Sequence, residues 1–106
     1  MRCLKWLTLI VITGLAIPVR AEELGDPGAG AAYAEQVCAQ CHGILPNEQL
    51  SPLLRAPTFQ AVADTPGMTG TALAVWMQSS HPTMPNIVLA PADRDNVIAY
   101  ILSLKR

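Results

Sequence analysis

The chain has 106 residues, of which 51% are hydrophobic and 14% charged, with a formal net charge of −1. That length allows one small domain, and the apolar, weakly charged composition excludes an intrinsically disordered chain. Seven Lys+Arg against eight Asp+Glu leave no basic surface for reading a nucleic-acid backbone. Two Trp, two Tyr and one Phe are few aromatics for a core of this size, so something besides side chains is expected to fill the middle.

The apolar excess sits at the front. Arg2 and Lys5 precede a nearly unbroken apolar run from Trp6 to Ile17, and Pro18, Val19, Arg20 and Ala21 follow. A positive start, a short apolar run and a small-residue Val19-x-Ala21 site predict a secretory signal peptide over residues 1–21, cleaved after Ala21. The run is shorter than the roughly 20 residues a spanning helix needs. Cys3 lies ahead of it, in the wrong place for a lipid-modified cysteine. The expected mature domain, 22–106, keeps four basic and eight acidic groups, a net charge of −4, and two cysteines, Cys38 and Cys41. Export suggests a disulfide, but a pair three residues apart closes too small a loop to stabilise much.

Four helices are predicted in the mature chain. The first spans about Asp26–Ala39, with Asp26 as N-cap, Pro27 at the first position and Gly30, Tyr33, Ala34 and Val37 on one face. Gly30 weakens a helix but lets another backbone approach closely. Residues 43–56 read as loop, with Pro46, Asn47, Ser51 and Pro52 along it. A short helix follows over about Thr58–Ala63, and a third over about Gly70–Gln78, capped by Thr69, with Leu73, Trp76 and Met77 inward. Residues 81–90 read as a second loop carrying Pro82 and Pro85. The last helix runs from about Pro91 to Leu104, with Val97, Tyr100, Ile101 and Leu104 as its stripe and Asp93 and Asp95 favourably near its start. No repeat or period-two strand pattern stands out, so the fold class is all-α.

Cys38-Ala39-Gln40-Cys41-His42 carries the chemistry. C-x-x-C-H is the pattern of covalent haem attachment. Thiols one helical turn apart can form thioethers with the two vinyl groups on one haem edge, and the next residue sets an imidazole beneath the iron. Three other readings compete. A thioredoxin-like redox pair lacks a βαβ pattern around it. Half of a zinc site has only His81 to draw on. Chance is uncommon for five residues in so short a chain.

Electron-carrying haem iron usually keeps six ligands, and Met opposite His is a common pair. Met84 lies between Thr83 and Pro85, in a loop stiffened by Pro82 and Pro85, which lowers the ordering cost of holding its sulfur at the iron. Met84 is therefore the expected ligand. Met77, otherwise core filler, and Met68, at a turn, remain alternatives. His81, beside Pro82, would give bis-His ligation.

With these residues the chain resembles the monohaem class I cytochromes c, specifically the small exported bacterial ones. Gly30, Tyr33 and the Cys38–His42 motif look like the family's first helix. Thr83-Met84-Pro85-Asn86 looks like its axial methionine loop, and residues 96–104 look like its last helix, whose aromatic packs near the glycine. The resemblance covers residues 26–106. It implies about four short helices wrapped around one covalently attached haem c per chain, bound through Cys38 and Cys41, with His42 and Met84 on the iron. It also implies a proline whose carbonyl accepts the N–H of the proximal histidine. Ala56-Pro57-Thr58-Phe59 looks like that segment, so Pro57 is the candidate, ahead of Pro52 and Pro46. Such a bond orients the imidazole and raises its basicity. The lysine ring of the mitochondrial members is absent, so their docking logic does not transfer.

An 85-residue chain alone makes a marginal core. Leu73, Trp76, Phe59, Ile87, Val88, Leu89 and Ile98 are expected to pack on the haem. Trp76 is either simple core or a donor to a propionate, and Arg55 either pairs with a propionate or stays solvated. The expected function is periplasmic one-electron transfer rather than enzymatic catalysis. Partner redox proteins would meet an exposed haem edge in a small, apolar, transient contact, and the net −4 would favour a positively charged partner patch. The expected protein is free of nucleic acid and of stable membrane insertion, and acts as a monomer or as a subunit of a redox complex. Alternatives are a gas-binding or sensing haem protein with a labile sixth ligand, a haem peroxidase, which lacks an evident distal acid–base pair, or the electron-accepting subunit of a dehydrogenase.

Overall fold

The fold is that of a computed structural model, which describes residues 25–79, 84 and 88–106, together with Gly14 and Ala16 of the leading segment. The expected cleavage site and the prolines flanking Met84 lie outside these residues. Among the described residues four helices follow one another: α1 Pro27–Val37, α2 Phe59–Ala63, α3 Gly70–Gln78 and α4 Pro91–Ser103. The all-α class is as the sequence predicts, and among the described residues no helix is long and apolar enough to cross a membrane.

Local chemistry starts three of the helices. Asp26 has extended backbone, and its carboxylate accepts the Gly28 and Ala29 N–H groups at the head of α1. Thr58 and Thr69 do the same for α2 and α3 through Ala61 and Ala72. Each bond satisfies a donor that a helix start otherwise leaves exposed. α4 has no side-chain cap, but Pro91 stands at its start and Asp93 in its first turn.

α1 crosses α4 at very short range, and one glycine permits it. A Cβ on Gly30 would sit far inside contact with the Asn96 carbonyl oxygen and 2.9 Å from the Tyr100 Cβ. Asn96 also fastens the entrance of α1, because its Oδ1 accepts the Asp26 N–H at 2.8 Å. The cap of α1 and its crossing point thus share one partner. Around this crossing lies the core: Ala34, Ile44, Phe59, Ala63, Leu73, Val97, Ile98, Ile101 and Leu104 are all buried. Tyr100 packs at its edge and donates its hydroxyl to the Ile44 carbonyl at 2.6 Å. Burial, and secondarily the Glu48 carboxylate, raise the Tyr100 pKa above its ordinary value, so the phenol remains a donor.

The sequence places Trp76 inward with Leu73 and Met77, and here the structure differs. Leu73 is buried and Met77 partly so, but Trp76 is 58% exposed. Among the described helices α3 packs on α4, with Leu73 on the covered side.

α2 is tied down by Gln60, which is only 3% exposed. Its Oε1 accepts the Asn47 N–H at 3.0 Å, and its Nε2 donates to the Leu104 carbonyl at 2.7 Å and to Asp64 Oδ2 at 2.9 Å. A buried amide satisfied this fully joins the 43–57 loop, α2 and the end of α4. Asp64 extends the clasp. It accepts the Arg106 N–H at 3.0 Å and the guanidinium at 2.8 Å. The backbone and side chain of Arg106, with Gln60, hold the Asp64 carboxyl down at about 2. Since the unfolded chain keeps Asp near about 4, this contribution is complete above about pH 4 and is lost as pH falls through about 2. Urea midpoints of wild type and Asp64→Asn measured against pH should differ by a constant amount above pH 4. The gap should close between about pH 4 and 2.

Candidate haem-binding site

The site begins where α1 ends. Cys38 is the C-cap of α1, with its N–H on the Ala34 carbonyl. The next turn winds about the Cys38 carbonyl, which accepts the Cys41 N–H at 3.1 Å and the His42 N–H at 2.9 Å. One tight turn therefore carries both thiols and the imidazole. Cys38 and Cys41 are partly buried free thiols. Burial pushes the Cys38 thiol up to about 11, the reverse of the lowered value that makes a cysteine of a redox pair reactive.

His42 is oriented from the far side of the loop. Its Nδ1 lies 2.7 Å from the Pro57 carbonyl oxygen. A carbonyl can only accept, so Nδ1 carries the proton, and Nε2 is the nitrogen left with a free lone pair. Of the three prolines considered from the sequence, Pro57 is the one whose carbonyl meets the ring. Thr58 and Phe59 follow it at once. The Phe59 ring centroid is 5.6 Å from that of His42 and 6.3 Å from that of Tyr100. An aromatic row therefore links the imidazole to the α1–α4 crossing.

The donor set fits a covalently attached haem. Two free thiols stand on one turn, and the adjacent imidazole has Nδ1 engaged by the Pro57 carbonyl, with Nε2 the nitrogen that can face an iron. Among the described residues no group of three or more His, Cys, Asp or Glu side chains could hold a bare metal ion.

The other expected residues are distributed as follows. Met84 is partly buried between α3 and α4, and its neighbours on both sides lie outside the described residues, as does His81. Met68 and Met77 pack on the core cluster, which agrees with the filler reading of Met77. Of the residues expected against the haem, Phe59, Leu73 and Ile98 are buried, Leu89 is partly buried, Trp76 and Val88 are exposed, and Ile87 lies outside the described residues. Arg55 is exposed.

Sequence reasoning missed Gln60, Ser51 and Asn96. The Ser51 hydroxyl is buried and accepts the Gly43 N–H at 2.9 Å, directly beside His42. Ser51 stands before Pro52, like any loop serine, and no local signal marks it.

No known family model and no solved structure matches the chain. Among curated proteins it is similar to cytochrome c-552 of Bradyrhizobium diazoefficiens, with 35% identity over 80 residues, covering 76% of each chain. On the strength of that relationship, together with the helical fold and the Cys38–His42 turn, the chain belongs to the small c-type cytochromes, haem-bearing electron carriers.

Proposed function

We propose that this chain is an exported, periplasmic one-electron carrier. One haem would be held through thioethers to Cys38 and Cys41, with His42 and Met84 as axial ligands. The observation that carries the reading is the His42 ring: Nδ1 is committed to Pro57 at 2.7 Å, which leaves Nε2 for iron, one residue from a thiol. When bound, the haem supplies a centre that takes up and releases one electron without a change of ligands.

The protein's own contribution is to hold that centre still. Pro57 fixes the imidazole plane and raises its basicity. Phe59, Leu73 and Ile98 supply apolar packing, which excludes water. The Met84 thioether, a soft ligand, favours the reduced iron and raises the potential. Thioether bonds keep the cofactor from leaving, which suits a carrier working outside the cell's interior. A signal peptide over residues 1–21 would take it there. In the net −4 mature domain, an acidic surface would steer encounter toward a cationic partner patch.

The ferric optical spectrum tests the ligand pair. Wild type should show the weak far-red band of iron bound to methionine sulfur, and Met84→Ala should lose it and bind carbon monoxide rapidly when reduced. A band that persists in Met84→Ala would reject Met84. A wild type without the band would favour the gas-sensing alternative.

A further inference from the structure

We propose that Ser51 is a positioning residue for the proximal imidazole, acting through the backbone of Gly43. The proposal rests on the haem reading above and adds a residue to it.

His42 is followed by a loop, residues 43–57, with no regular structure to fix its path. The loop is nevertheless closed on itself at its start. The Gly43 N–H donates to Ser51 Oγ at 2.9 Å, and the Gly43 carbonyl accepts the Phe59 N–H at 2.8 Å. Both polar groups of the residue after the ligand are therefore committed, one to the middle of the loop and one to the segment just beyond it. On the other side of His42, the Cys41 carbonyl accepts the Leu53 N–H at 3.2 Å. The loop lies so close here that a Cβ on Gly43 would meet the Leu50 carbonyl oxygen at 2.9 Å.

Of these three anchors the one to Ser51 is made by a side chain, and Ser51 is 6% exposed; Tyr100 and Gln60 hold the same loop further along, at Ile44 and Asn47. The geometry has one product: the end of the loop delivers the Pro57 carbonyl to His42 Nδ1 at 2.7 Å. Removing the hydroxyl leaves the Gly43 N–H buried without an acceptor, a state that proteins avoid by shifting backbone toward water. Such a shift moves the loop against the ring. The Nδ1–H···O bond weakens, the imidazole becomes a poorer donor, and ferric iron loses stabilisation relative to ferrous. The reduction potential then rises.

The test compares holo wild type with Ser51→Ala, Ser51→Cys and Ser51→Thr. Covalent haem is first confirmed on the wild type, and its absence there would overturn the haem reading and this proposal together. Three quantities are then read: Gly43 N–H exchange, the ring-proton NMR shifts of His42 in the reduced protein, and the reduction potential. Ser51→Ala should accelerate Gly43 exchange about tenfold, displace the His42 signals and raise the potential, and Ser51→Thr should restore all three. Faster Gly43 exchange in Ser51→Ala with unmoved His42 signals and potential would reduce Ser51 to a loop brace and overturn the proposal. If Ser51→Ala does not assemble, Ser51→Cys, which keeps the shape with a weaker acceptor, is judged by the same criteria.

Discussion

Gly30→Ala is expected to cost about 3 kcal/mol or more of stability, a large part of what holds a domain of this size together. A methyl group at this position has nowhere to go. The Asn96 carbonyl lies in its path and the Tyr100 Cβ is 2.9 Å away, and both belong to helix backbone or its first side-chain atom. Neither can rotate aside. The two helices would have to separate, loosening Ala34 and Val97 and the Asp26–Asn96 bond that closes the same corner. The effect runs against intrinsic propensity, since alanine favours a helix by about 1 kcal/mol over glycine. A urea titration followed by far-ultraviolet circular dichroism gives the result directly. A midpoint equal to or above that of wild type would show that the helices do not meet as closely as described.

Gln60→Met is expected to cost about 2 kcal/mol, although methionine is close in size and shape and suits a helix. The loss comes from what the amide leaves behind. The Leu104 carbonyl, at a buried residue, loses its donor, and the Asn47 N–H and Asp64 lose their links to α2. Because the clasp joins three segments, its loss should be felt most in the loop. Hydrogen exchange at Asn47 and Gly43 should accelerate more than exchange within α1. Uniform acceleration would place Gln60 in the global core instead.

Much of the architecture is legible in the chain because its signals are local. An Asp before Pro27, and Thr58 and Thr69 before apolar stretches, mark helix starts to within a residue of those observed. The period-3.6 stripes of α1 and α4, with a glycine on one, state where two helices meet. The Cys38–His42 turn is legible for the same reason, since its chemistry is set by spacing alone. Pro57 was reachable only through family likeness, because a carbonyl bond to a ring fifteen residues away leaves no trace in the nearby sequence. Gln60 and Ser51 left none either. Leu104 lies 44 residues from Gln60 and Gly43 eight from Ser51 across an irregular loop, and a polar residue looks the same in a string whether it ends up buried or wet. Trp76 failed in the opposite way. Its spacing from Leu73 is right for an inward face, but how wide a stripe is covered depends on how many neighbours a helix has.

If the Cys38–His42 turn carries a covalently bound haem, the mass of the mature protein, denatured in acid, reads it out. The chain should begin after Ala21 and be heavier by one haem, with no thiol left to alkylate at Cys38 or Cys41. Two alkylatable thiols on a chain of bare polypeptide mass, with haem absent or extracted by the acid, would contradict it.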